Sequence, residues 1–213
     1  MSIKIKICGI NDAAAMKAAC DAGAHYVGLV FYARSPRHVT FDQAKTLRAL
    51  VPNHITAVGL YVDPSDEDVL KGKELGLRMI QLHGKETPDR VVAIKKLTGL
   101  PVMKAIDLQG EVDFKMVPAY EVVADQLLFD AKPPENMDAL PGGNAMVFDW
   151  GLLHGKIFQK PWMLAGGLNA SNVVEALRIT AAPGIDVSSG VEDSPGKKNP
   201  DKIRELIKVV SNL

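Results

Sequence analysis

The feature that most constrains this chain is a recurring unit: a short apolar strand, a polar or glycine-bearing strand end, then an amphipathic helix. Apolar runs end at IKIKICG (to Gly9), YVGLVFY (to Tyr32), TAVGLYVD (to Asp63) and MIQLHG (to Gly84). They continue at PVMKAID (to Asp107), QLLFD (to Asp130), WMLAGG (to Gly167) and GIDVSSG (to Gly190). The unit recurs about eight times at a spacing of roughly 25 residues, the length of one strand–loop–helix–loop module. Eight modules with no linker between them specify an α/β fold, a single (β/α)8 TIM barrel domain over residues 1–213. Chemistry in that fold collects where the strands end, so the run ends double as candidate site positions.

A chain of 213 residues can bury one substantial core. Its 25 Lys and Arg balance 25 Asp and Glu, so no global field recruits nucleic acid or an anionic membrane, and neither is expected as a partner. Any phosphate must then be held by local geometry. The start, MSIKIKIC, alternates charge and isoleucine and lacks a secretory apolar core. No apolar run reaches membrane-spanning length, and a cytoplasmic protein is expected. The two cysteines, Cys8 and Cys20, do not make a disulfide framework, and free thiols fit a reducing compartment.

Helix signals fall between the strands. The first helix is expected from about Asp12 to Ala22 with Gly23 as its stop, and the second from Phe41 or Asp42 to before Pro52. The third opens with Ser65 and Asp68 three residues on, and closes at Gly76. The fourth follows Thr87-Pro88 and ends at Gly99. The fifth is expected to be short or irregular, from Val112 to Ala119, ending against Pro118. After the sixth strand, AKPPENMDALPGGNA (Ala131 to Ala145) reads as a long loop over the strand-end face, where a lid would sit. A short helix from Asp149 follows, then helices from Ser171 to Thr180 and from Pro200 to Val210.

Several strand ends carry chemistry. A cysteine in a strand is commonly a small buried hydrophobe, but Cys8 stands last before a glycine turn, the position that faces a barrel mouth. Cys20 has no such context and reads as core. Arg34 and Arg37 flank Ser35-Pro36, and the stiff loop favours Arg37 as a two-bond carboxylate holder. Gln81 and His83 end the fourth strand, where a histidine without metal-spaced partners reads as a pocket wall or hydrogen-bond donor, and no metal is expected. The other histidines read as surface or loop residues. Asp130 follows Leu127, Leu128 and Phe129, and a carboxyl desolvated there has a raised pKa suited to donating a proton; the alternative is a loop-anchoring aspartate. AGGLNAS and DVSSGVE offer small residues (Gly166, Gly167, Ser188, Ser189, Gly190) after strands seven and eight, where barrels of this kind often hold phosphate.

Together KICGI (Lys6 to Ile10), SPR (Ser35 to Arg37), QLHG (Gln81 to Gly84), LLFD (Leu127 to Asp130), FDW (Phe148 to Trp150), LAGGLN (Leu164 to Asn169) and DVSSGVE (Asp186 to Glu192) resemble the phosphoribosylanthranilate isomerase family of tryptophan biosynthesis. The resemblance runs in order from residue 3 to the carboxy terminus. It implies an Amadori rearrangement of an aminoaldose phosphate to a 1-amino-1-deoxyketose phosphate, with no cofactor or metal. By the same resemblance Cys8 is the general base and Asp130 the general acid. Arg37 holds the anthranilate carboxylate, the glycine and serine loops hold phosphate, and Asp186 lies near the reacting sugar. The family implies a monomer, with a homodimer as the form of some heat-loving members.

Two departures stand out: Asn11 replaces a usual threonine, read as a cap substitution, and GGNAMV (Gly142 to Val147) replaces a GGTGK-like loop. The competing enzyme is the related isomerase of histidine biosynthesis, which places an aspartate where this chain has Cys8. A phosphosugar-binding barrel without catalysis would have lost Cys8 or Asp130. A redox sensor would need a resolving cysteine.

Overall fold

The computed structural model describes residues 2–131 and 148–213. Eight parallel strands close into a barrel in sequence order: β1 (Lys4–Ile7), β2 (Tyr26–Val30), β3 (Thr56–Tyr61), β4 (Met79–Leu82), β5 (Val102–Leu108), β6 (Gln126–Ala131), β7 (Trp162–Leu164) and β8 (Gly184–Val187). Closure is made by β1 on β8, with Lys4 to Ile7 in register with Gly184 to Val187. Around it lie α1 (Ala13–Ala22), α2 (Phe41–Arg48), α3 (Asp66–Glu74), α4 (Pro88–Thr98), α5 (Val117–Val123), α6 (Val173–Thr180) and α7 (Pro200–Ser211). Among the described residues no helix is long and apolar enough to cross a membrane.

Local signals set most helix ends. Asp12 caps α1 through the Ala15 amide, and Gly23 ends it in the left-handed region. Ser65 and Asp68 form a reciprocal capping box on α3, and Thr87 with Pro88 starts α4. The fifth unit is irregular, as expected, but Pro118 opens α5 rather than ending a helix. Its missing N–H costs nothing in a first turn, and a 3-10 segment Glu111–Met116 precedes it. In the sixth unit, Asp149 caps a 3-10 helix, Trp150–Leu153. α6 starts two residues later than Ser171, because Asn169 Oδ1 accepts from both the amide and the hydroxyl of Ser171 and holds that stretch in a loop.

Apolar packing is in two shells. Ile5, Ile7, Val27, Leu29 and Ile80 face the helices, while Val58, Met79, Met103, Leu128 and Met163 fill the barrel interior. Most apolar runs outlast the hydrogen-bonded ladder: β2 stops at Val30, not Tyr32, and β8 at Val187, not Gly190. The chain there leaves the sheet to build the mouth.

One element has no sequence signal. A small antiparallel hairpin, β9 (Glu192–Ser194) and β10 (Lys197–Lys198), follows β8. Asn11, expected as a cap, instead donates from Nδ2 to the Gly196 carbonyl at 2.9 Å, tying the first unit to this hairpin. The anticipated lid over 131–145, beyond Ala131 itself, and the GGNAMV departure lie outside the described residues.

Candidate active site

The carboxyl ends of the strands surround one pocket. Cys8, Arg37, Gln81, His83, Asp130 and Asp186 all line it. So do Gly166, Gly167, Ser188 and Ser189, but not Gly190. An apolar wall of Val30, Tyr32 and Leu60 completes it.

Cys8 lies one residue past β1, its amide still bonded to the Val187 carbonyl at 2.9 Å. Its side chain packs with Val30 and Leu60 and is 4% exposed. Burial pushes the thiol up from its ordinary value, against the pull of the Lys6 ammonium beside it.

Asp130 is the penultimate residue of β6. Its Oδ1 accepts from the Ala131 amide at 2.7 Å, and its Oδ2 lies 3.6 Å from His83 Nε2. Burial raises its pKa from 3.8 to about 6, an effect that His83 opposes and Asp107 reinforces. His83 itself lies between two carboxylates, with Asp107 Oδ1 3.5 Å from the same nitrogen. Burial favours neutral imidazole, yet the two carboxylates outweigh it and the His83 pKa is raised. These separations are long for hydrogen bonds, and His83 Nε2, Asp107 Oδ1 and Gln81 Oε1 make none. Gln81 and His83 are buried and line the pocket with polar atoms unused, so they are positioned for a polar ligand, with Asp107 behind His83. His83, expected as a pocket wall or hydrogen-bond donor, lines the pocket, while Asp107 had no signal beyond its place at a strand end.

Arg37 is 5% exposed and held by Glu192: Nε to Oε1 and Nη2 to Oε2 are both 2.8 Å. Glu192 also takes Lys198 at 2.5 Å, and Lys198 reaches the Ser188 carbonyl at 3.0 Å and its Oγ at 3.2 Å. The arginine and the serine loop thus share one buried charge cluster. Neither Glu192 nor Lys198 was singled out from the sequence.

The phosphate candidates divide. Gly166 and Gly167 both adopt left-handed φ, +87° and +62°, and Asn172 Nδ2 donates to the Gly167 carbonyl at 3.0 Å. Gly190 lies outside the pocket lining and has a packing job. A Cβ there would lie 1.9 Å from the Leu168 carbonyl oxygen, so this glycine lets the eighth loop press onto the seventh. Asp186 is turned to Lys6, with Oδ1 2.9 Å from Nζ.

The chain is similar to known proteins over nearly its whole length. A model of the family described as N-(5'phosphoribosyl)anthranilate (PRA) isomerase matches residues 5–209. The N-(5'-phosphoribosyl)anthranilate isomerase of Paracoccus denitrificans (strain Pd 1222) is 53% identical over 210 residues, 97% of this chain and 96% of that protein. The crystal structure of phosphoribosyl anthranilate isomerase from Thermotoga maritima matches with a TM-score of 0.88 at 32% identity, covering 99% of this chain and 100% of that one. A phosphoribosyl anthranilate isomerase in complex with reduced 1-(o-carboxyphenylamino)-1-deoxyribulose 5-phosphate matches at a TM-score of 0.83 and 29% identity, covering 99% and 100%.

Proposed function

The chain belongs to the N-(5'-phosphoribosyl)anthranilate isomerase family, and on that premise we propose how its own residues divide the reaction. It is an isomerase of tryptophan biosynthesis, converting N-(5'-phosphoribosyl)anthranilate to 1-(2-carboxyphenylamino)-1-deoxyribulose 5-phosphate. The observation that carries the assignment of roles is the joint lining of one pocket by a thiol, a carboxyl of raised pKa, an arginine and two small-residue loops.

Asp130, as the acid, protonates the furanose ring oxygen, the C1–O bond breaks, and the nitrogen lone pair forms a protonated Schiff base. The Cys8 thiolate takes the C2 proton to give an enolamine. Transfer of the O2 proton and protonation of C1 give the ketone, so atoms balance without a co-reactant. Arg37 orients the anthranilate carboxylate, and the aromatic ring rests on Val30, Tyr32 and Leu60. Gly166, Gly167, Ser188 and Ser189 hold the phosphate, and Asp186 faces the sugar.

The protonation states set the difficulty. The reactive form needs Asp130 protonated and Cys8 ionised, yet Asp130 titrates at about 6 and Cys8 above its ordinary 9.0. Burial therefore holds the proton on the thiol, and moving it to the carboxyl is uphill. Lys6 and Lys198 pull the thiol the other way, toward ionisation.

The test is anthranilate fluorescence during turnover of substrate generated in situ, in the parent, Cys8→Ser and Asp130→Asn. Loss of activity by orders of magnitude in both variants is the expected result. An active parent with active variants would sink these roles while leaving the reaction intact. We also read the chain as one cooperative domain, a cytoplasmic monomer whose Cys8 and Cys20 are free thiols. A single unfolding transition checks the single domain and sedimentation at monomer mass checks the oligomeric state, with a homodimer as the other outcome.

A further inference from the structure

Below the pocket floor, groups from three strands meet inside the barrel. Lys6 of β1 is fully buried, and its Nζ lies 2.9 Å from Asp186 Oδ1 on β8. Cys8, two residues along, projects to the same face, and the Lys6 ammonium favours ionisation of its thiol. Gly28 of β2 makes the meeting possible. A Cβ there would lie 2.9 Å from Cys8 Sγ and 3.2 Å from Lys6 Nζ, so both atoms occupy space that only glycine leaves open. Lys6 does not line the pocket. It therefore acts on the reaction through a neighbour.

We propose that Lys6 is the positioning residue for the Cys8 base: its ammonium is the counter-charge of the thiolate, Asp186 anchors it, and Gly28 gives the pair room. The inference rests on the reading of Cys8 as the base. A lysine needed only to neutralise Asp186 would have no reason to share a glycine-cleared space with the thiol. Cys8 loses its proton to solvent as Cys8–SH → Cys8–S⁻ + H⁺, the thiolate pairs with Lys6, and it becomes a thiol again on taking the C2 proton. Other charges face the same thiol. Asp186 opposes ionisation and Lys198 favours it from β10, while Arg37, His83 and Asp130 stand around the pocket. Lys198 is engaged by Glu192 and Ser188, and of the charges acting on the thiol Lys6 has the largest effect.

The experiment is titration of the Cys8 thiolate by its ultraviolet absorbance, with the Cys8→Ser signal subtracted to remove Cys20. Lys6→Met is compared with the parent, and so is the double variant Lys6→Met/Asp186→Asn, which removes the ion pair without leaving a lone buried charge. Gly28→Ala, which keeps both charges but wedges the pair, is the third arm. Removing Lys6 is expected to move the Cys8 midpoint up by about 1 to 3 pH units, tenfold or more less thiolate at a given pH. Gly28→Ala is expected to move it in the same direction by less. A midpoint unchanged in the double variant overturns the proposal, as does a downward shift. Activity retained in Cys8→Ser would instead defeat the base assignment, and the titration decides the role of Lys6 in either case.

Discussion

Arg37 and Glu192 face each other as a two-bond ion pair, both contacts 2.8 Å, across 155 residues of sequence. The guanidinium, proposed to meet the substrate carboxylate, is thereby held in one plane and one direction. Glu192→Gln leaves Arg37 and Lys198 without their carboxylate, and removing one partner of a buried pair costs about 3 kcal/mol or more of stability. Steady-state kinetics are expected to show KM raised about tenfold, the loss of roughly one charge-assisted hydrogen bond, with a smaller effect on kcat. The Glu192 pKa is depressed in the fold, so its contribution is present above the ordinary value of 4.5 and lost as pH falls through the lower folded value. Acid unfolding of Glu192→Gln should lack that component.

Asp130→Asn is expected to abolish activity and yet stabilise the protein. The carboxyl titrates at about 6 in the fold against 3.8 ordinarily, so the fold prefers it protonated. That preference is fully met below 3.8 and lost as pH rises through about 6. The variant should therefore exceed the parent in unfolding free energy by about 3 kcal/mol near pH 8, and by nothing near pH 3. Denaturant melts at the two pH values read this directly; equal stability at both would show that Asp130 is not held against ionisation.

His83 pulls the Asp130 pKa down. Without that positive charge the acid stays protonated to higher pH. In His83→Gln the alkaline fall of kcat/KM assigned to Asp130 is expected to move up by about one unit. A shift toward acid would contradict the contact seen between the two side chains.

Gly190→Ala sets a methyl against the Leu168 carbonyl. Backbone must move, the seventh and eighth loops part, and the phosphate end loosens. Inhibition by inorganic phosphate should weaken about tenfold, alongside a stability loss of roughly 1–3 kcal/mol. Intact phosphate affinity would separate this glycine from the site.

The barrel was readable because parallel strands buried on both faces leave near-continuous apolar runs, and because caps such as Asp12, Ser65 and Thr87 act over three residues. Cys8, Asp130, Gln81 and His83 were readable for the same reason: a polar residue closing an apolar run stands at the mouth. Lys6 was misread. In IKIKIC the lysines look like the wet face of a half-exposed strand, but a closed barrel has no wet face there, and a charge at Lys6 is inside. Glu192 and Lys198 carried no local signal, since their meaning depends on Arg37, far away in the chain. Gly190 shows the limit of composition: a glycine that approaches an anion and one that approaches a carbonyl are written alike.

The closure of β1 on β8 has a consequence for how the protein is made. During synthesis one edge of β1 waits unpaired until Gly184 to Val187 emerge, with Lys4 and Lys6 guarding it against other edges meanwhile. Arg37 waits longer still, for Glu192. Nearly the whole message must be translated before the mouth has its shape, so a ribosome that stalls late releases a chain with an open sheet and no enzyme.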